Sequence, residues 1–320
     1  MILRRYTADN ATEWNAFVKN SKNGTFLLDR SFMDYHGDRF HDASLMFYEH
    51  EKLIAVLPAN YDEETKTLCS HQGLTYGGLI TARQTTSRQV MTAFELIMEY
   101  CKDELQASRV LYKPIPYIYN SYPSDEGLYA LFRNNARLIS RGLSSCIDIQ
   151  DRIGFTESRK SGLRKSNDID IREIADAKNI AEIEKFWDIL HSVLTTLHNT
   201  TPVHSAEEIA LLMSRFPEKI RLFGAYDTDG DMLAGSLIFD CGQVVHTQYM
   251  AASEKGKMSG ALDKLIAHLI TNVYSSRKYF DFGISTEDGG RILNEGLIFQ
   301  KEGFGGRGVC YDQYEVIIDN

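Results

Sequence analysis

No stretch of this 320-residue chain is apolar for the roughly 20 residues that a membrane helix needs, which excludes a helical span. Its start, Met1-Ile2-Leu3-Arg4-Arg5, leads directly into a strand and helix pattern and carries no secretory leader, so a cytoplasmic location is expected. Cysteine is sparse. Cys69, Cys101, Cys146, Cys241 and Cys310 are odd in number, far apart and without C-x-x-C pairs. That excludes a disulfide or zinc framework and reads as reduced, mostly buried thiols. Positive charge is short too: 35 Lys and Arg against 44 Asp and Glu leave a net charge of −9. DNA is therefore not an expected partner, because phosphate neutralisation needs a basic footprint, although a local basic site stays open. Three signatures are missing: G-x-x-x-x-G-K-[ST], G-x-G-x-x-G after a strand, and G-x-S-x-G. Their absence argues against a P-loop nucleotide hydrolase, a Rossmann dehydrogenase and an α/β-hydrolase. No metal is expected either. His198 and His204 lie in one loop, but the nearby Glu207 and Glu208 are explained by a helix cap at Ser205.

What is present is an ordinary globular composition, 43% hydrophobic and 25% charged, with length enough for two domains that each bury a core. The second half repeats the plan of the first: strand, turn, strand, strand, glycine-bearing loop, long helix, strand. In the first half the segments are 44–48, 53–61, 67–71, the loop 73–80, a helix over 87–105 and a strand over 109–113. In the second they are 221–226, 232–240, 244–250, the loop 251–260, a helix over 261–275 and a strand over 279–283. A duplicated α/β unit would set two similar modules side by side and provide a cleft for two substrates. Two α+β stretches alike by chance are the alternative. The expected fold class is α/β (α+β), with modules over 1–150 and 151–320, each a mixed, mostly antiparallel sheet flanked by helices.

The joint between the halves falls over 151–168. Its core, Ser158-Arg159-Lys160-Ser161-Gly162-Leu163-Arg164-Lys165, holds four cations in eight residues. It reads either as a solvated helix or as an anion site in which Arg159 and Arg164 hold a phosphate-bearing substrate.

Most chemical information lies between Val244 and Arg307. The strand over 244–250 opens through a small-residue loop into a helix at Ala261. Such an opening exposes backbone N–H groups at the positive end of a helix dipole, and glycine lets a pyrophosphate approach the main chain. Met250, Ala251, Ser253, Lys255, Gly256, Lys257, Ser259 and Gly260 are therefore the expected donor-binding residues. Along the strand, alternation sets His246, Gln248 and Met250 on one face and Thr247 and Tyr249 on the other. His246 and Tyr249 can share a pocket only if a bulge intervenes. Asp281 reads as a base or as the partner of a buried donor. In the first half, the loop with His71 and Tyr76 stands where the donor loop stands in the second, and is expected to face an acceptor. His198 and His204 are candidates to bond a substrate or carry a proton.

The run Tyr249…Gly256…Gly260-Ala261, then Tyr279-Phe280-Asp281-Phe282-Gly283, then Asn294-Glu295-Gly296-Leu297…Lys301-Glu302-Gly303-Phe304-Gly305-Gly306 resembles the GNAT acyltransferase superfamily. It is more similar to the tandem-GNAT branch that includes the Fem-type peptidoglycan-bridge aminoacyltransferases (FemABX). The acyl-CoA signature [RQ]-x-x-G-x-[GA] is met in part, by Ser253-Glu254-Lys255-Gly256-Lys257-Met258. The resemblance implies two tandem GNAT-like modules, with the acceptor side in the first and the donor side in the second. It implies an N-acyltransferase that moves an acyl or aminoacyl group from a carrier to an amine of a small anionic acceptor. Acyl-CoA is the expected co-substrate, aminoacyl-tRNA the alternative donor, and a non-catalytic binding module the remaining reading. In such enzymes the donor carbonyl lies against the strand at 249–251, which parts from the strand at 280–283. Lys301 would stabilise developing charge, with Tyr249, His246 and Asp281 completing the catalytic set. Phe304 and Arg307 join the substrate side.

Overall fold

Residues 1–37, 39–198 and 200–318 of the computed structural model are described, without the side chains of His36, Leu197 and His198. In chain order the first elements are β1 (Ile2–Arg5), α1 (Ala11–Asn20), α2 (Arg30–Met33), β2 (Leu45–Glu49), β3 (Lys52–Leu57), β4 (Asn60–Asp62) and β5 (Thr67–Cys69). Then come β6 (Ile80–Thr81), α3 (Ser87–Asp103), β7 (Arg109–Tyr112), α4 (Glu126–Arg133), β8 (Arg137–Asp148) and α5 (Glu157–Lys165). The middle of the chain forms β9 (Asp170–Ile174), α6 (Ile180–His198), α7 (Ala206–Arg215), β10 (Ile220–Tyr226), β11 (Met232–Asp240) and β12 (Val244–Ala252). The last part forms α8 (Glu254–Ser259), α9 (Ala261–His268), β13 (Tyr279–Ile284), β14 (Thr286–Glu287), β15 (Ile292–Leu293), α10 (Glu295–Gly303) and β16 (Arg307–Ile317). No described helix is long and apolar enough to cross a membrane.

The chain divides into two units. Unit 1 holds Met1–Leu143, Thr286–Ile292 and Val309–Asn320, and unit 2 holds Ser144–Ser285 and Leu293–Gly308. This replaces the expected cut after residue 150. Residues 144–148 of β8 pair with β13 inside unit 2, and the end of β16 pairs with β7 inside unit 1. Sheet hydrogen bonding decides membership, and it does not follow chain order.

In unit 1, β1, β2, β3 and β6 form an antiparallel sheet, and β4, β5, β7 and β16 are neighbours in a second. The long strand expected over 53–61 is two strands, β3 and β4. Pro58 stands at the break, where its missing N–H cannot serve a ladder. Helix α3 starts at a capping box between Thr86 and Gln89 and buries Val90, Ala93, Phe94, Ile97 and Cys101, the stripe that helical periodicity requires.

In unit 2 the strand order is β8-β13-β12-β11-β10-β9, and every pairing except β12 with β13 is antiparallel. Strand β11 is buried along its whole length, with α6 and α9 packed against it. Gly235 lets α6 settle on the sheet, since a Cβ there would lie 2.3 Å from the Phe186 ring.

Candidate functional site

Strands β12 and β13 pair through Val244↔Tyr279, Val245↔Phe280 and His246↔Asp281, and their pairing stops there. Beyond that point the arms separate. A cavity of about 690 Å³ is lined by residues 247–252 of one arm and by Phe282 and Ile284 of the other. Helix α6 adds Leu190, Val193 and Leu194, and α10 adds Leu297, Phe299, Gln300 and Lys301. The α8–α9 corner contributes Gly256, Lys257, Leu262 and Asp263, with Arg159 reaching in from α5.

A β-bulge sets which side chains face where. Thr247 pairs with Ile238 and Tyr249 with Leu237, which leaves Gln248 as the extra residue of β12. Alternation therefore inverts at Gln248. Val245, Met250 and Ala252 pack with one core cluster that includes Leu265 and Ile266 of α9. Tyr249 turns the other way, with its ring 5.7 Å from that of Trp187 on α6 and its hydroxyl 2.8 Å from His204 Nδ1. The bulge puts His246 and Tyr249 on the same face, the condition that strict alternation denies them.

At the base of the fork Asp281 is 0% exposed. The Ser144 hydroxyl donates to its Oδ1, and its Oδ2 lies 2.8 Å from His246 Nδ1. A carboxylate this deep is tolerated because donors surround it. Lys301, 2% exposed, donates from Nζ to the carbonyls of Gly283 at 2.8 Å and Ile284 at 2.9 Å. Burial pulls its ammonium down from 10.5 to about 8, against the opposing pull of Asp281.

The titration of Lys301 carries a stability prediction. Between about 8 and 10.5 the unfolded chain holds a proton that the folded protein has released. The burial penalty is thus full below about 8 and is relieved as pH rises through the window. Lys301→Met should flatten the dependence of the urea midpoint on pH across that range, relative to the parent. Parallel curves for the two proteins would show that the lysine is not held in this way.

No protein-family model matches the chain, and no curated protein matches it in sequence. Solved structures do. FemX aligns with a TM-score of 0.69 at 11% identity, covering 99% of this chain and 97% of FemX. The fold is that of FemX. A C-terminal domain assigned to a lysylphosphatidylglycerol synthetase of Agrobacterium fabrum aligns with a TM-score of 0.61 at 12% identity, over 96% of this chain and 91% of that one. L-PGS from Bacillus licheniformis aligns with a TM-score of 0.58 at 11% identity, again over 96% and 91%. These likenesses bear on architecture, and within this FemX fold the residues singled out from the sequence fall into distinct groups.

Lys301, Tyr249, Met250, Ala251, Gly256, Lys257, Gly260 and Arg159 line the cavity, and His246 and Asp281 lie at its base. The stretch over 251–260, expected as a loop, is largely helical, and the Gly256 and Lys257 amides bond within it. Residues 254–259 are the short helix α8, and Ser253 caps it by accepting from the Gly256 amide at 3.1 Å. Gly256 is a glycine for packing, since a Cβ would stand 2.2 Å from the Leu233 carbonyl oxygen. Gly260 turns left-handed at φ +72 and would clash at 2.3 Å with the Gly162 carbonyl. Ser259 bonds back to Gly256, and Lys255 is paired with Asp227.

Other expectations are corrected by burial or exposure. Phe304 is 1% exposed, stacks on Phe282 in the core and does not line the cavity. The Arg164 side chain is 66% exposed on α5 and does not line the cavity, and Arg307 bonds the Gly306 carbonyl at 2.6 Å from an exposed position. His204 holds Tyr249 by its ring and Trp187 by its carbonyl. The side chain of His198 lies outside the described residues.

His71 and Tyr76 belong to unit 1, whose own parallel pair, β5 with β7, is stitched shut by the loop after it. The Lys113 amide donates to Ser70 Oγ at 2.8 Å, the Gly77 amide to the Lys113 carbonyl at 3.0 Å, and Lys113 Nζ to the Leu74 carbonyl. His71 and Tyr76 are buried there, with the Tyr76 hydroxyl bonded to Thr25. His71 also lines a small cavity of about 160 Å³ within unit 1, with Arg30, Phe40 and Asp42.

Several contributors carry no local sequence signal: Ser144, Trp187 and the α6 wall meet the fork only through tertiary pairing. Thr247, buried in the cavity wall, was legible only as one position in an alternating strand. Among the described residues, no group of three His, Cys, Asp or Glu side chains gathers as a metal site.

Proposed function

We propose that unit 2 carries the active site of an N-acyltransferase, which takes an acyl group from a thioester carrier and passes it to an amine. The observation that supports this reading is the open fork: a parallel strand pair that separates beyond His246 and Asp281 around a walled cavity. A separated strand arm offers backbone polar groups and a dry cleft to a reacting carbonyl, which suits transfer through a tetrahedral intermediate. The amine nitrogen bonds to the carbonyl carbon, the carbon–sulfur bond breaks, and the departing sulfur takes the proton that the nitrogen gives up. Lys301 is assigned to stabilise the developing negative charge. His246, oriented by Asp281, is assigned to receive the amine proton. Tyr249, held by His204, is assigned to return a proton to the leaving group.

Coenzyme A is the carrier that the lining favours. The cavity carries Arg159, Lys257 and Lys301 against one carboxylate, Asp263, in a chain whose net charge is −9. Asp263 is held by Arg159 at 2.5 Å and is not available to an aminoacyl ammonium, whereas Lys257, 46% exposed in a surface pair with Glu254, can turn to a phosphate. Side-chain cations then do the work expected of bare amides. Aminoacyl-tRNA is the second reading, supported by the FemX fold. The acceptor would be a small anionic amine, and the reaction cytoplasmic.

Acetyl-CoA or a longer acyl-CoA at about 100 times its Kd should raise the thermal midpoint by several degrees. Coenzyme A release should follow when an amine library is added. No shift with acyl-CoA, beside a shift with aminoacyl-tRNA, would move the assignment to the second donor. No shift with either would end the transferase reading.

A further inference from the structure

Thr247 is the first residue of β12 beyond the last paired position of the fork, and it lines the cavity. It is 4% exposed, and its Oγ1 is buried without a hydrogen-bond partner. An unpaired buried hydroxyl is destabilising, and a valine of the same shape would avoid the penalty, so the group calls for an explanation outside folding. The cavity that Thr247 lines has apolar walls: Leu190, Val193 and Leu194 of α6, Phe282 and Ile284 of β13, and Leu297 of α10. Two large apolar residues of the lining, Ile284 and Phe299, are 49% and 65% exposed, so the cavity opens to solvent over an apolar surface. Two charged groups bound this end of the fork: Asp281 at its base, already bonded to His246 and Ser144, and Lys301, tied to the Gly283 and Ile284 carbonyls.

We propose that the transferred group is an apolar acyl chain, whose carbonyl oxygen accepts a hydrogen bond from the Thr247 hydroxyl and whose methylenes lie against the α6 and α10 walls. The proposal rests on the acyl-transfer reading above and narrows it. A short polar acyl group would leave the walls wet, and an aminoacyl group would bring an ammonium toward Lys301.

S-acetyl- and S-octanoyl-N-acetylcysteamine are carrier-free thioesters, so their binding reports on the acyl site whichever carrier the protein uses. By titration calorimetry or NMR, the octanoyl compound should bind more than about 10-fold more tightly than the acetyl compound, since each buried methylene adds affinity. Thr247→Val should weaken octanoyl binding by about 5- to 10-fold while leaving the thermal midpoint equal or higher. Val193→Trp, which fills the α6 wall, should abolish the chain-length preference. Equal affinity for the two thioesters overturns the proposal. So does a Thr247→Val protein with parental affinity or a lowered midpoint. If acyl-CoA compounds bind without regard to chain length, this inference falls alone. If no thioester and no carrier binds, the acyl-transfer reading falls with it.

Discussion

Gly256→Ala is expected to destabilise unit 2 by more than about 3 kcal/mol, a large fraction of the stability of an ordinary domain. The added methyl carbon would stand 2.2 Å from the Leu233 carbonyl oxygen and 3.0 Å from its carbon, and that obstacle is the backbone of β11. Strand β11 is buried throughout and bonded on both sides, so it has no room to retreat. The neighbouring hydroxyl of Ser253, which caps the Gly256 amide, would also be crowded at 3.3 Å. Gly154→Ala is the control, because a Cβ there meets nothing within 4 Å. It should change stability by less than about 0.5 kcal/mol. Chemical denaturation of the two variants checks the pair. A Gly256→Ala protein as stable as the control would mean that α8 does not rest on β11 in this way. Donor binding would fall in Gly256→Ala as well, but as a consequence of lost packing.

Lys301→Ala should lower acyl transfer by about 100- to 1000-fold, the scale seen when one donor to a developing oxyanion is removed. Its stability should fall by about 2 kcal/mol, since two buried carbonyls lose their charged donor and a cavity opens. The larger effect belongs to the reaction. The carbonyls of Gly283 and Ile284 hold Nζ at one end of the cavity, where a reacting carbonyl would lie, and no other described lysine or arginine bonds them. Rates normalised to folded protein, set beside the unfolding free energy, separate the two contributions. Loss of stability with normal turnover of the folded fraction would reduce Lys301 to a structural cap.

The sequence was most informative where local rules act alone. The helix cap at Ser205 is a short-range pattern, and the structure follows it. Pro58 breaks a strand that its apolar neighbours suggest is continuous, because alternation counts side chains and overlooks the missing N–H. The loop over 251–260 misled for a related reason. Glycine read in isolation suggests room for a ligand, whereas Gly256 and Gly260 make room for Leu233 and Gly162, residues distant in the chain. Phe304, which the resemblance set on the substrate side, stacks on Phe282.

Residue order alone was enough to give two mixed α/β units, a strand from 244 that leads to a helix at Ala261, and His246, Asp281 and Lys301 as the groups worth following. These depend on periodicity, capping and residue chemistry within a few positions. Folding in three dimensions decided the rest: which of two parallel strand pairs stays open, the inversion at Gln248 that turns Tyr249 toward α6, and the orphaned hydroxyl of Thr247. Each follows from hydrogen bonds and contacts between segments far apart in the chain, and no local pattern encodes such pairings.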